Sequence, residues 1–188
     1  MRLVCVCGGA PLNANVSRHL SDLHDIANRK IAAERDKLVQ ALSQRIEAAK
    51  RRQAANGMLH SGNTAALLRD LCVEPLQAMG VQITQEYKWA AATAIFLTQS
   101  SARSLADAAE AQLAPMSAFC VDQLSSQLQA LNMGNLAQEL MPSLESKRKE
   151  ILIDVRIELD RAFAERRRGV IRNIAVGVGN VLSKVGGK

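Results

Sequence analysis

Apolar residues recur along the first quarter of the chain at Val16, Leu20, Leu23, Ala27 and Ile31, and again at Leu38, Leu42, Ile46 and Ala49, three or four positions apart within each run. That interval keeps side chains on one side of a helix. The spacing predicts a single helix over 16–55 with one buried stripe, interrupted only where Glu34 falls on it. Asn13 or Asn15 can cap its start and Asn56-Gly57 its end. A helix of about 40 residues spans roughly 60 Å, longer than a compact domain of this size is wide, so it is expected to project or to belong to an elongated hairpin. Its mean apolar spacing of about 3.67 is nearer an eleven-residue repeat than a heptad, which predicts a coiled-coil-like stripe with weak or right-handed supercoiling rather than a leucine zipper.

Residues 56–63, NGMLHSGN, read as a turn between antiparallel helices, with Thr64 or Asn63 capping the second. Pro75, Gly80, Pro115, Gly134 and Pro142 then punctuate the chain and predict helices near 64–79, 82–113, 115–132 and 143–168. Met116, Phe119, Cys120, Leu124, Leu128 and Leu131 make an inner face in the third of these. The segment ILIDVRIELD, 151–160, fits two periods. Its odd positions are all apolar, as on a half-buried strand, but Ile151, Leu152, Val155, Leu159, Ala162 and Phe163 also share one helical side. No turn residue separates it from its neighbours, which favours helix; as a strand its obvious partner is Leu3 to Cys7. The expected fold is all-α, an elongated helical bundle or hairpin with one long N-terminal helix and an amphipathic C-terminal helix.

The last stretch is a basic tail over 169–188, following a bundle over 1–168 whose first 15 residues are an irregular or short apolar entry. At 100° per residue, Val170, Ile171, Ile174, Val178, Val181, Leu182 and Val185 fall within one arc of about 120°. Arg172 and Lys184 fall outside it, and residues 166–188 carry no acid. Gly177 and Gly179 each cost about 1 kcal/mol relative to Ala, so this helix is weak until it docks on its own bundle, on a partner or on a membrane. Arg166, Arg167 and Arg168 lead into it, which makes these cations and the apolar arc the candidate membrane- or partner-binding residues.

Charge is divided as the pattern is. Residues 1–55 carry ten Lys/Arg against five Asp/Glu, residues 56–146 three against eight, and residues 147–188 eleven against five. Either the basic ends fold back on the acidic middle, or they form a surface for phosphate-bearing partners. With 48% hydrophobic residues among 188 and only five aromatics, the chain can bury one aliphatic core.

Candidate chemistry changes little. SRHLSDLHD gathers Ser17, His19, Ser21, Asp22, His24 and Asp25, but His19 and His24 stand about 140° apart on a helix and no third group is ordered against them. A solvated helix face is expected there. Cys5 and Cys7 form CxC without a second pair, and Gly8-Gly9 lacks the rest of a phosphate loop, so no metal, cofactor or small-molecule substrate is expected. Four scattered cysteines, an apolar start too short for a secretory signal and no membrane-length run predict a cytoplasmic protein, peripheral to a membrane if the tail docks on lipid. The expected function is that of a non-enzymatic interaction or structural protein. It would work through helical surfaces and the basic tail, on a protein partner, by self-association or at an anionic membrane surface. Nucleic-acid binding through the basic ends is the alternative.

Overall fold

A computed structural model describes the backbone of residues 12–94 and 98–185 and the side chains of 21–94, 98 and 100–168. The described residues form four helices and no strand: α1 (Leu12–Ala55), α2 (Gly62–Thr93), α3 (Gln99–Ala130) and α4 (Gly134–Val185). They run up, down, up and down. α2 and α3 pack on each other and on both remaining helices, whereas α1 and α4 make no contact with one another among the described residues. The architecture is therefore an all-α bundle in which the central α2–α3 pair carries α1 in one groove and α4 in the other.

α1 begins at Leu12 rather than 16, so Asn13 and Asn15 lie within it and do not cap it. Val16 and Leu20 lie outside the residues whose side chains are described, and from Leu23 on the stripe is the buried side of the helix. Leu23, Ala27, Ile31, Leu42 and Ile46 are buried and Leu38 and Ala49 half-buried. The helix ends as Asn56-Gly57 implies: Gly57 takes a left-handed φ of +68°, its N–H bonds Ala54 O and the Met58 N–H reaches back to Gln53 O at 2.9 Å. The same closure follows α3, where Asn132 supplies the positive φ and the Met133 N–H reaches Leu128 O at 2.8 Å. α2 is capped by Ser61, not by Thr64 or Asn63. Its hydroxyl accepts the Thr64 N–H, while the Thr64 hydroxyl donates back to Met58 O at 2.7 Å and closes the turn.

Of the residues expected to punctuate the chain, Gly134 stands at a break, as the first residue of α4, so the helix expected near 143–168 begins there; the prolines and Gly80 do not break the chain. α2 runs through Pro75 and Gly80, α3 through Pro115 and α4 through Pro142. An interior proline costs about 3 kcal/mol in an isolated helix. Around Pro75 that cost is outweighed by burial of Leu71, Cys72, Leu76 and Met79, with Pro75 itself buried. Gly80 is a contact rather than a break: a Cβ there would stand 2.4 Å from Ile151 Cγ2, so the missing side chain sets how closely α4 approaches α2. The break that does occur falls inside the expected 82–113 helix. Ala94 turns extended, and Thr98 starts α3 by accepting the Ser101 N–H at 3.2 Å.

Basic α1 and α4 fold against acidic α2 and α3. Lys30 pairs with Glu86 at 3.0 Å, Arg45 with Glu74 and Arg156 with Glu110 at 2.9 Å. The ends thus partly neutralise the middle.

Candidate contact surface on the outer face of α4

The segment 151–160 is helical throughout, and its alternation acquires a physical meaning on a helix. Residues 151, 155 and 159 follow one another at i, i+4 and i+8, and all three side chains are buried against α2 and α3. Ile153 and Ile157 sit two positions out of phase, on the opposite side, and are 57% and 51% exposed. One apolar stripe builds the bundle; the other faces outward.

Around these two isoleucines every neighbour on the outer side of α4 is exposed: Ser146, Lys149, Glu150, Asp160, Arg161, Ala164, Arg167 and Arg168. Arg167 and Arg168 are therefore where a partner can meet them. Arg166 is not equivalent to them. It lies on the inner side, half-buried, and donates from Nη2 to Ala94 O at 2.6 Å, capping the open end of α2. Sequence reasoning grouped the three by adjacency; the 100° step between helix residues separates them. Val170, Ile171, Arg172, Ile174, Val178, Val181, Leu182, Lys184 and Val185 lie outside the residues whose side chains are described.

The two basic clusters do not converge. Arg51 and Arg52 are exposed beside the 56–61 turn, where Lys50 bonds Gln127 near the end of α3. Arg167 and Arg168 stand at the other end of the bundle, beside the end of α2.

Between α2 and α4 lies an open groove of 630 Å³, floored by Gly80, Ile151 and Val155 and walled by Val81, Thr84 and Asp154. Lys88 bridges it to Glu158 at 3.0 Å. That hydrogen bond, with the charges of Arg161 and Lys88, holds the Glu158 carboxyl below its usual range. No family model, curated protein or solved structure matches this chain.

The polar residues flagged in SRHLSDLHD take a structural place. Ser21, Asp22 and Asp25 are exposed, while His24 stacks on Tyr87 with ring centres 5.6 Å apart. Ser17 and His19 lie outside the residues whose side chains are described. Sequence reasoning missed the node that His24 joins. Tyr87 on α2 donates its hydroxyl to Asn28 Oδ1 on α1 at 2.8 Å, and Gln112 on α3 donates to the same oxygen at 3.3 Å. Burial pushes the Tyr87 phenol up to about 12. Three helices are thereby locked in register by one amide. Cys72 and Cys120 are buried side by side as thiols across α2 and α3, and their shared hydrogen bond together with burial pushes the Cys120 thiol well above its ordinary range. Cys5 and Cys7 fall outside the described residues. No group of three metal-binding side chains occurs among the residues searched, and no helix there is long and apolar enough to cross a membrane.

Proposed function

We propose that this chain is a non-enzymatic interaction protein. The bundle acts as an elongated rigid body, drawn out by its long N-terminal helix, and presents the outer face of α4 together with an amphipathic basic tail that attaches to an anionic membrane surface. The observation carrying this reading is the second apolar stripe of α4, Ile153 and Ile157, exposed in a bundle whose other large isoleucines are mostly buried, and followed on the same side by exposed Arg167 and Arg168. At 100° per residue the tail's arc begins in line with Phe163, whose phase Val181 repeats with Val170 and Ile174 close by, and reaches round to the outer side, where Ile171 repeats the phase of Ile153. The inner stripe ends near Phe163 and Arg166, level with the end of α2. Burying one large tail side chain in lipid is worth about 1.5 kcal/mol or more, and each nearby Arg or Lys adds about 1 kcal/mol on anionic lipid. Reversible attachment follows from those magnitudes.

The alternative, phosphate neutralisation on nucleic acid, would draw on Arg51, Arg52, Arg167 and Arg168, but these stand at opposite ends of the bundle and form no single track. Co-sedimentation with phosphatidylserine-containing vesicles tests the membrane reading. Wild type is expected to pellet with them, and Ile174→Asp with Val181→Asp to stay in solution with almost unchanged melting temperature. A wild type that ignores vesicles, combined with a double variant that melts far lower, assigns the tail to the protein's own core and ends this reading.

A further inference from the structure

The outer face of α4 carries a charge order that selects its own partner. Take the level of residue 155 as a centre. Ile153 and Ile157 lie just either side of it, Lys149 and Glu150 a turn and a half before, Asp160 and Arg161 a turn and a half after, and Ser146 and Ala164 beyond them. All eight are exposed. At 100° per residue, Lys149 and Asp160 fall on one flank of the isoleucine pair, and Glu150 and Arg161 fall on the other.

We propose that this face is a self-association surface, on which two copies of the chain pack α4 against α4 antiparallel about a twofold axis level with residue 155. The proposal rests on the reading of α4 as an interaction helix and names the partner: a second copy. A twofold axis perpendicular to the helices keeps each flank on its own side and reverses direction along the axis. Ile153 then packs beside Ile157 of the second copy, Lys149 meets its Asp160, and Glu150 meets its Arg161. Ser146 lies against Ala164, where small side chains let the helices approach. Because the contact is isologous, each pairing occurs twice.

A parallel pair would instead cross the flanks and set Lys149 beside Glu150 and Asp160 beside Arg161, so the charge swaps below separate the two arrangements: they leave a parallel rim attractive and turn only the antiparallel rim repulsive. The existing neighbours of these charges do not compete strongly. Glu150 holds Lys147 at 2.8 Å and Arg161 holds Glu158 at 2.7 Å, both pairs within one helix and open to solvent. Two isoleucines per copy make a small apolar centre, so the dimer is expected at micromolar or weaker concentrations and to weaken as salt screens its rim.

Sedimentation equilibrium on the full chain, from micromolar to near-millimolar concentration at low and high salt, is the test. The expected result is a monomer–dimer equilibrium. Ile153→Asp with Ile157→Asp should weaken it by more than about tenfold while leaving the helical signal intact. Two charge swaps give the sharper readout. Lys149→Glu with Glu150→Lys, and separately Asp160→Lys with Arg161→Glu, each turn both rim contacts repulsive and should leave that variant monomeric. Mixed in equal amounts, the two variants should form a heterodimer, because every rim pairing is then opposite in sign again. A wild type that stays monomeric throughout, a dimer that survives the isoleucine substitutions, or swaps that fail to rescue each other would overturn the proposal. Vesicle binding by such a monomer would still support the tail's role, so the two readings fail separately.

Discussion

Ile151 and Ile153 are two residues apart on one helix, yet one is 7% exposed and the other 57%. The inner isoleucine is clamped by a helix contact so close that Gly80 opposite it has no room for a side chain. Nothing in the described bundle covers the outer one. Burial here is thus a property of phase on the helix rather than of residue type, and alternation over ten residues puts comparable apolar chemistry on two opposite sides. A chain can fold with one such side. The other, being unnecessary for the core, is available for a partner.

The largest effect that would test this contrast comes from the inner side. Leu159 is 1% exposed within the core, so Leu159→Ala should cost about 2–5 kcal/mol in denaturant unfolding through lost burial and the cavity left behind. A loss below about 1 kcal/mol would mean that α4 is only loosely held, and the distinction between its faces would collapse.

Titrating groups sharpen the same contrast at intermediate size. Tyr87 sits inside with its phenol raised to about 12, and it is the one tyrosine in the chain, so absorbance near the phenolate band reports it alone. A folded value above the unfolded one, about 10, means that the protonated phenol contributes full stability below pH 10. That contribution is lost progressively between pH 10 and about 12, up to about 2–3 kcal/mol. The phenolate signal should accordingly rise together with alkaline unfolding; an independent titration near pH 10 in folded protein would contradict the burial. Glu158 behaves in the opposite sense at the surface. Its lowered value means that its ion pair contributes above the ordinary carboxylate range and fades as pH falls, and because it is open to solvent the contribution is small.

Where periodicity was unambiguous, the sequence carried the answer. The α1 stripe from Leu23 to Ile46 is buried except for half-buried Leu38, and of the inner face of Met116, Phe119, Cys120, Leu124, Leu128 and Leu131 only Phe119 is half-buried. Local breaker chemistry was less informative, because Pro75 and Gly80 are paid for by contacts from residues far along the chain, Ile151 among them. The break at 94–98 had a local signal in Thr98 followed by Ser100 and Ser101, but it was masked by the longer uncharged run around it. The Asn28–Tyr87–Gln112 node joins three helices and leaves no spacing to read. The candidate surface stood in between: the alternation of 151–160 was visible, and only the helical packing of α4 assigned its two phases to inside and outside.

The smallest expected effect belongs to the outer isoleucines themselves and is the most direct test of that assignment. Serine and isoleucine have similar helix propensities, so Ile153→Ser with Ile157→Ser leaves the intrinsic stability of the helix nearly constant and isolates what the two side chains bury. Since more than half of each is already in water, the pair should change the unfolding free energy of the dilute chain by no more than about 0.5 kcal/mol. Dilution matters, because self-association would add its own stabilisation at high concentration and make wild type melt higher than the variant. The two proteins should therefore coincide when dilute and separate when concentrated. A loss of about 2 kcal/mol or more at the dilute end would show that another part of the chain already covers these isoleucines, leaving no free face for a second copy.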